Sequence, residues 1–120
     1  MTAQQKIDEL ERQLQLEKGS AVDMAQKIII LCKQIHKYLQ EKINETPVID
    51  IYLLAAYEYF VDMEKVFQKE HNWYLQNRYN GGGSYLFVDG HSKSRLSGYL
   101  SQMRLIVKHE RYRKYFRAVI

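Results

Sequence analysis

The spacing of apolar side chains in the first third of the sequence constrains this chain more than any other feature. Ile7, Leu10, Leu14, Ala21, Met24, Ile28, Leu31, Ile35 and Tyr38 follow a three-four alternation that only Glu17 interrupts. That period belongs to one face of an α-helix, and a seam so narrow has the heptad form of a helix docked on another helix. Lys6, Asp8, Glu9, Glu11, Arg12, Glu17 and Lys18 flank it, with Asp8 and Arg12 at i,i+4, so residues 1–18 read as a charged helical arm. Gly19-Ser20 breaks the seam, and Ser20 with Asp23 has the spacing of a capping box, which leaves one rod or two jointed helices open. Beyond the joint a second stripe, Val22, Ala25, Ile29, Cys32, Leu39 and Ile43, widens the apolar arc. A segment of about 20–45 is therefore expected to be the central core helix, buried on more than one side.

A chain of 120 residues has the length of one domain, so residues 19–120 are expected to form a single compact unit behind the arm. Glu45-Thr46-Pro47 reads as a break and a new start, with Thr46 as N-cap and Pro47 in the first turn. Ile51, Leu54, Ala55, Phe60, Met63, Val66 and Phe67 then carry helical spacing over about 47–70. Trp73 to Tyr79 and Ser84 to Val88 are aromatic-rich runs on either side of Asn80-Gly81-Gly82-Gly83, which is the signature of a β-hairpin over about 73–89. A last helix over about 93–110 follows, capped by Ser92 or Ser94, with Leu96, Leu100, Met103 and Val107 on its core face and Gly98 admitting a neighbouring backbone. Residues 111–120 either prolong that helix or add a strand. The expected class is α+β, predominantly helical.

Charge divides the chain more sharply than composition does. Residues 1–70 carry nine basic and twelve acidic side chains, whereas 71–120 carry nine basic and two acidic. Six cations, Arg104, Lys108, Arg111, Arg113, Lys114 and Arg117, crowd into one short stretch interleaved with Tyr112, Tyr115 and Phe116. Arg and Tyr together form contact surfaces, and the same mixture can pair with phosphates while stacking on bases. With Arg95, the six cations and Tyr112 and Tyr115 are the candidate partner-binding or polyanion-binding set. Tyr79 and Tyr85, beside Arg104 and Lys108, form a second candidate, a pocket for a nucleotide-derived signal.

Catalytic patterns are missing from the sequence. Gly81-Gly82-Gly83 lacks the Lys-Ser/Thr pair of a phosphate loop and reads as a turn. His71, Asp89, His91 and His109 match no ligand spacing, so neither a metal nor another cofactor is expected. Cys32, the only cysteine, sits among Ile and Leu as a core thiol, and no Ser occupies a strained elbow. The longest apolar run, Ile28 to Cys32, is far short of a membrane span, and no stretch resembles a secretory leader. A non-catalytic, cytoplasmic protein is the expectation.

With its one small domain, charged N-terminal helix, ten Tyr and lack of a catalytic signature, the chain resembles the accessory proteins that bacteriophages encode to bind and inhibit a host defence or regulatory factor. The likeness is one of size and composition. It implies an inhibitor that acts by direct contact in the host cytoplasm, with an acidic surface of a host protein as partner. Two alternatives stand beside it. One is a DNA- or RNA-binding regulator dimerised through its N-terminal helices; the other is a protein that sequesters a nucleotide-derived signal. Self-association through Ile7, Leu10 and Leu14 would give a homodimer or higher oligomer.

Overall fold

The computed structural model describes residues 1–16, 21–77 and 92–120. Four helices account for most of them: α1 (Ala3–Gln15), α2 (Ala21–Glu45), α3 (Ile51–Asn77) and α4 (Ser92–Lys108), followed by a short 3₁₀ turn at Arg113–Tyr115. The arrangement is all-α, and the described residues contain no strand. The α+β expectation is thus overturned. Trp73, Tyr74 and Leu75, read from their β propensity as the start of a hairpin, lie within α3. Helical spacing explains why: Phe60, Phe67 and His71 are buried and Tyr74 packs against the core, so one face of the helix continues through the aromatic run. Packing of that face decides over local β preference. The rest of the expected hairpin, from Arg78 to Asp89, lies outside the described residues.

α2 is the central helix, as its double stripe requires. Met24, Ala25, Ile28, Ile29, Leu31, Cys32, Ile35 and Leu39 are all buried, α3 covers most of its length, and α1 and α4 cover the rest. The five residues between α2 and α3 turn the chain back on itself, as short helix–helix connections do. Thr46 closes α2 rather than opening α3, because its hydroxyl donates to the Lys42 carbonyl at 2.7 Å. The N-cap of α3 is Asp50, whose carboxylate accepts the N–H groups of Tyr52 (3.0 Å) and Leu53 (3.3 Å). This moves the helix start from Pro47 to Ile51. It also turns the core face, which runs through Leu53, Ala56, Phe60 and Phe67, and leaves Ile51 in solvent.

α1 is fixed at its start by a reciprocal cap. The Gln5 N–H donates to Thr2 Oγ1, and the Thr2 N–H donates to Gln5 Oε1 at 2.8 Å. Its seam meets α4 and α2 of the same chain, with Ile7 fully buried and Leu14 nearly so. Of the stripe on which self-association was expected, Ile7 and Leu14 are covered within the chain, whereas Leu10 is partly buried. Ion pairs reinforce this packing: Arg104 on α4 donates from Nε to Asp8 at 2.7 Å and from its terminal nitrogen to Glu11. Leu96, Leu100, Met103 and Val107 form the core face of α4, as their spacing predicts. Gly98 admits no neighbour; a Cβ placed there would meet nothing within 4 Å.

After α4 the chain neither continues as a helix nor forms a strand. It makes the 3₁₀ turn, buries Phe116 against Phe60 at 5.9 Å between ring centres, and returns to the N-terminus. There Val119 pairs with Thr2 in an isolated antiparallel bridge, and the Ile120 N–H donates to the Met1 carbonyl at 3.1 Å.

Candidate interaction site

The cationic cluster predicted from sequence lies at the end of the molecule where α4 stops, α3 begins and the chain termini meet. Its local fold begins when the His109 carbonyl accepts the N–H groups of both Tyr112 (2.9 Å) and Arg113 (2.8 Å). These bonds wind residues 109–113 into a tight turn and give neighbouring side chains different directions. Tyr112 meets Tyr52 edge to face at 5.9 Å, and Arg111 lies over the Tyr52 ring while donating to its hydroxyl at 2.9 Å. The Tyr115 hydroxyl donates to the Asp50 carboxylate, and Lys114 stands 3.9 Å from the same carboxylate. Asp50 therefore has two roles. Besides capping α3, it fastens the C-terminal turn to that helix.

The predicted residues consequently separate into three groups. Arg104 is spent on Asp8 and Glu11, three-quarters buried within the α1–α4 junction. Arg111, Tyr112, Lys114 and Tyr115 face the start of α3. Lys108, Arg113 and Arg117 are exposed on the other side, around a cleft they share with Thr2, Gln4, Val107 and Phe116. Arg95 is half-buried on α4, more than two helical turns before Arg104. Tyr79 and Tyr85, the proposed nucleotide pocket, lie outside the described residues.

The sequence reading missed the apolar half of this surface. Val48, Ile49 and Ile51 are 73%, 80% and 68% exposed, which places three large aliphatic side chains in water within four residues. Helical periodicity assigns Ile51 to the core and is silent on residues between helices. The available signal was Asp50, a strong N-cap residue three positions before Leu53, which would have left the preceding apolar residues in the connection.

The remaining chemistry-bearing groups do not converge. His71 and His109 lie near opposite ends of α3, because His71 is nineteen residues beyond Tyr52, about 28 Å at the helical rise. His109 serves its own turn by accepting the Arg111 N–H at Nδ1. Asp89 and His91 lie outside the described residues, and among the described residues no three His, Cys, Asp or Glu side chains are grouped to hold a metal ion. Burial pushes the Cys32 thiol up to about 12, with a smaller contribution from the Glu64 charge, so it remains protonated at neutral pH. The Tyr59 hydroxyl, buried without a partner, is also pushed up to about 12, mainly by desolvation. Within the described residues, no helix is long and apolar enough to cross a membrane.

Compared with known proteins, the chain matches no family model, no curated sequence and no solved structure.

Proposed function

We propose that this protein is a non-catalytic binding protein that blocks a macromolecular partner by contact, in the manner of phage-encoded inhibitors of host factors. The observation that carries the reading is the exposed trio Val48, Ile49 and Ile51 around Asp50 and Tyr52, the two residues that Lys114, Arg111 and Tyr112 reach. Aliphatic side chains next to Arg and Tyr, with cations at the edge, have the composition of an interface centre and its rim. Water contact at three aliphatic residues within four positions is unfavourable by roughly 25 cal/mol per Å² of apolar surface, a cost that a partner removes. The positive rim selects an acidic partner and favours its approach. Asp50 holds both halves in one place before the partner arrives, which lowers the ordering cost of binding.

The test is affinity capture with the full chain and with a Val48→Asp/Ile49→Asp variant. Both sites are exposed, so the variant retains its fold. The reading expects one stoichiometric acidic protein with the parent chain and none with the variant. Equal recovery by both would remove the apolar trio from the contact. Recovery of nucleic acid instead, with affinity falling steeply as salt rises, would replace a protein partner with a polyanion.

A further inference from the structure

On the side of the C-terminal turn away from α3 lies a cleft of about 430 Å³ lined by Thr2, Gln4, Val107, Lys108, Arg113, Phe116 and Arg117. Three cations and no carboxylate side chain line it. The pattern differs from that of Arg104, which has two carboxylates, and of Lys114, which has Asp50. None of Lys108, Arg113 and Arg117 makes an ion pair among the described residues. The cations come from two structural units, the last residue of α4 and the turn with its exit, so their convergence is a product of the tertiary fold. Thr2 and Gln4 add the beginning of α1. The helix dipole is positive at that end, although the Thr2–Gln5 cap already occupies two of its N–H groups. Val107 and Phe116 supply the apolar part of the lining, and both are themselves buried, which makes that wall rigid.

We propose that this cleft binds a phosphate-bearing small molecule of mononucleotide size. Arg113 and Arg117 supply planar donor forks that match phosphate oxygens two at a time, while Lys108 supplies a point charge. The Gln4 side-chain amide contributes a neutral donor to the same anion. The Val107–Phe116 wall accommodates the non-phosphate part of the ligand. The volume lies within the range of small-molecule sites, which is roughly 300–1,000 Å³. This site is separate from the contact surface around Val48 and Ile49, and the two proposals can fail independently.

The test is calorimetric titration of the full chain, at low ionic strength, with inorganic phosphate and with adenosine 5′-monophosphate. The expected result is binding with a dissociation constant below about 1 mM for at least one probe, weakened about tenfold or more by Arg113→Gln/Arg117→Gln. Lys65→Gln/Lys69→Gln removes the same charge from exposed positions on α3 and is expected to leave binding unchanged. Tighter binding of the nucleotide assigns the apolar wall to the base, whereas equal affinities assign the site to the phosphate group alone. No binding of either probe would overturn the proposal, and so would equal weakening by both double variants, which marks attraction to net charge. Backbone amide shifts provide a readout independent of any variant. They should be largest at Thr2, Gln4, Lys108 and Phe116, and a maximum elsewhere would also overturn the site.

Discussion

The α2–α3 interface and the C-terminal turn are both rich in aromatic residues, yet they use them in opposite ways. Along α2 and α3, Phe60 and Phe67 are fully buried among Ile and Leu, and their contribution is burial, roughly 1.5–3 kcal/mol for a large side chain. In the turn, Tyr112 and Tyr115 keep part of their surface in water and direct rings or hydroxyls at Tyr52 and Asp50. The first arrangement is held by apolar burial; the second is polar by construction. A region fastened by a few directed contacts can therefore present cations and apolar side chains to a partner without being part of the core.

The largest expected effect tests the core side of this contrast. Phe60→Ala should cost about 3–5 kcal/mol, read as a lower urea midpoint, because it opens a cavity and also removes the ring on which Phe116 packs. A loss below about 1 kcal/mol would show that α2 and α3 do not depend on the packing described. On the turn side, Asp50→Ala should cost about 2 kcal/mol, since the α3 cap and the Tyr115 partner disappear together. Tyr115→Phe, which removes only the hydroxyl, should show about half of that loss.

Alkaline pH probes the interior again. Cys32 has an ordinary pKa of 9.0 and is held at about 12 in the fold, so the unfolded chain loses its proton first. Its contribution to stability is complete below pH 9 and decreases as pH rises towards 12, by on the order of 1 kcal/mol between pH 9 and 10. Tyr59, moved in the same direction, adds a decline that begins near its ordinary value of 10.0. Denaturation of Cys32→Ala across that range should show a later onset, beginning with the tyrosine. An unchanged onset would contradict the assignment. The smallest effect is a gain: Gly98→Ala should stabilise by about 0.5–1 kcal/mol, because the added methyl meets open space and α4 loses a flexible residue.

What the sequence revealed follows the same division. The α2 double stripe and the α4 face at Leu96, Leu100, Met103 and Val107 were legible, because burial on a long helix leaves a periodic trace. The start of α3 was misread because Thr46-Pro47 and Asp50 offer competing caps, and only the hydrogen bonds made by Thr46 and Asp50 decide between them. The Trp73 run was misread because aromatic residues serve strands and buried helix faces alike. At the candidate site, the clustering of cations was visible but their division was not. Arg104 and Arg113 look the same in a list of charges; what separates them is that α1 brings Asp8 and Glu11 to Arg104 across a sequence separation of more than ninety residues. The Thr2-x-x-Gln5 cap was a readable signal that went unused.

The C-terminal cations divide between fastening the fold and facing solvent, and urea denaturation of two charge variants separates the two groups. Arg104→Gln should destabilise by about 1 kcal/mol, allowing for its partial exposure, because Asp8 and Glu11 lose a shared partner. Arg113→Gln/Arg117→Gln should stay within about 0.5 kcal/mol of the parent chain, since neither side chain makes an ion pair among the described residues. A clear loss of stability in the double variant together with no change in Arg104→Gln would contradict the account, because the cations facing the cleft would then be those that hold the fold.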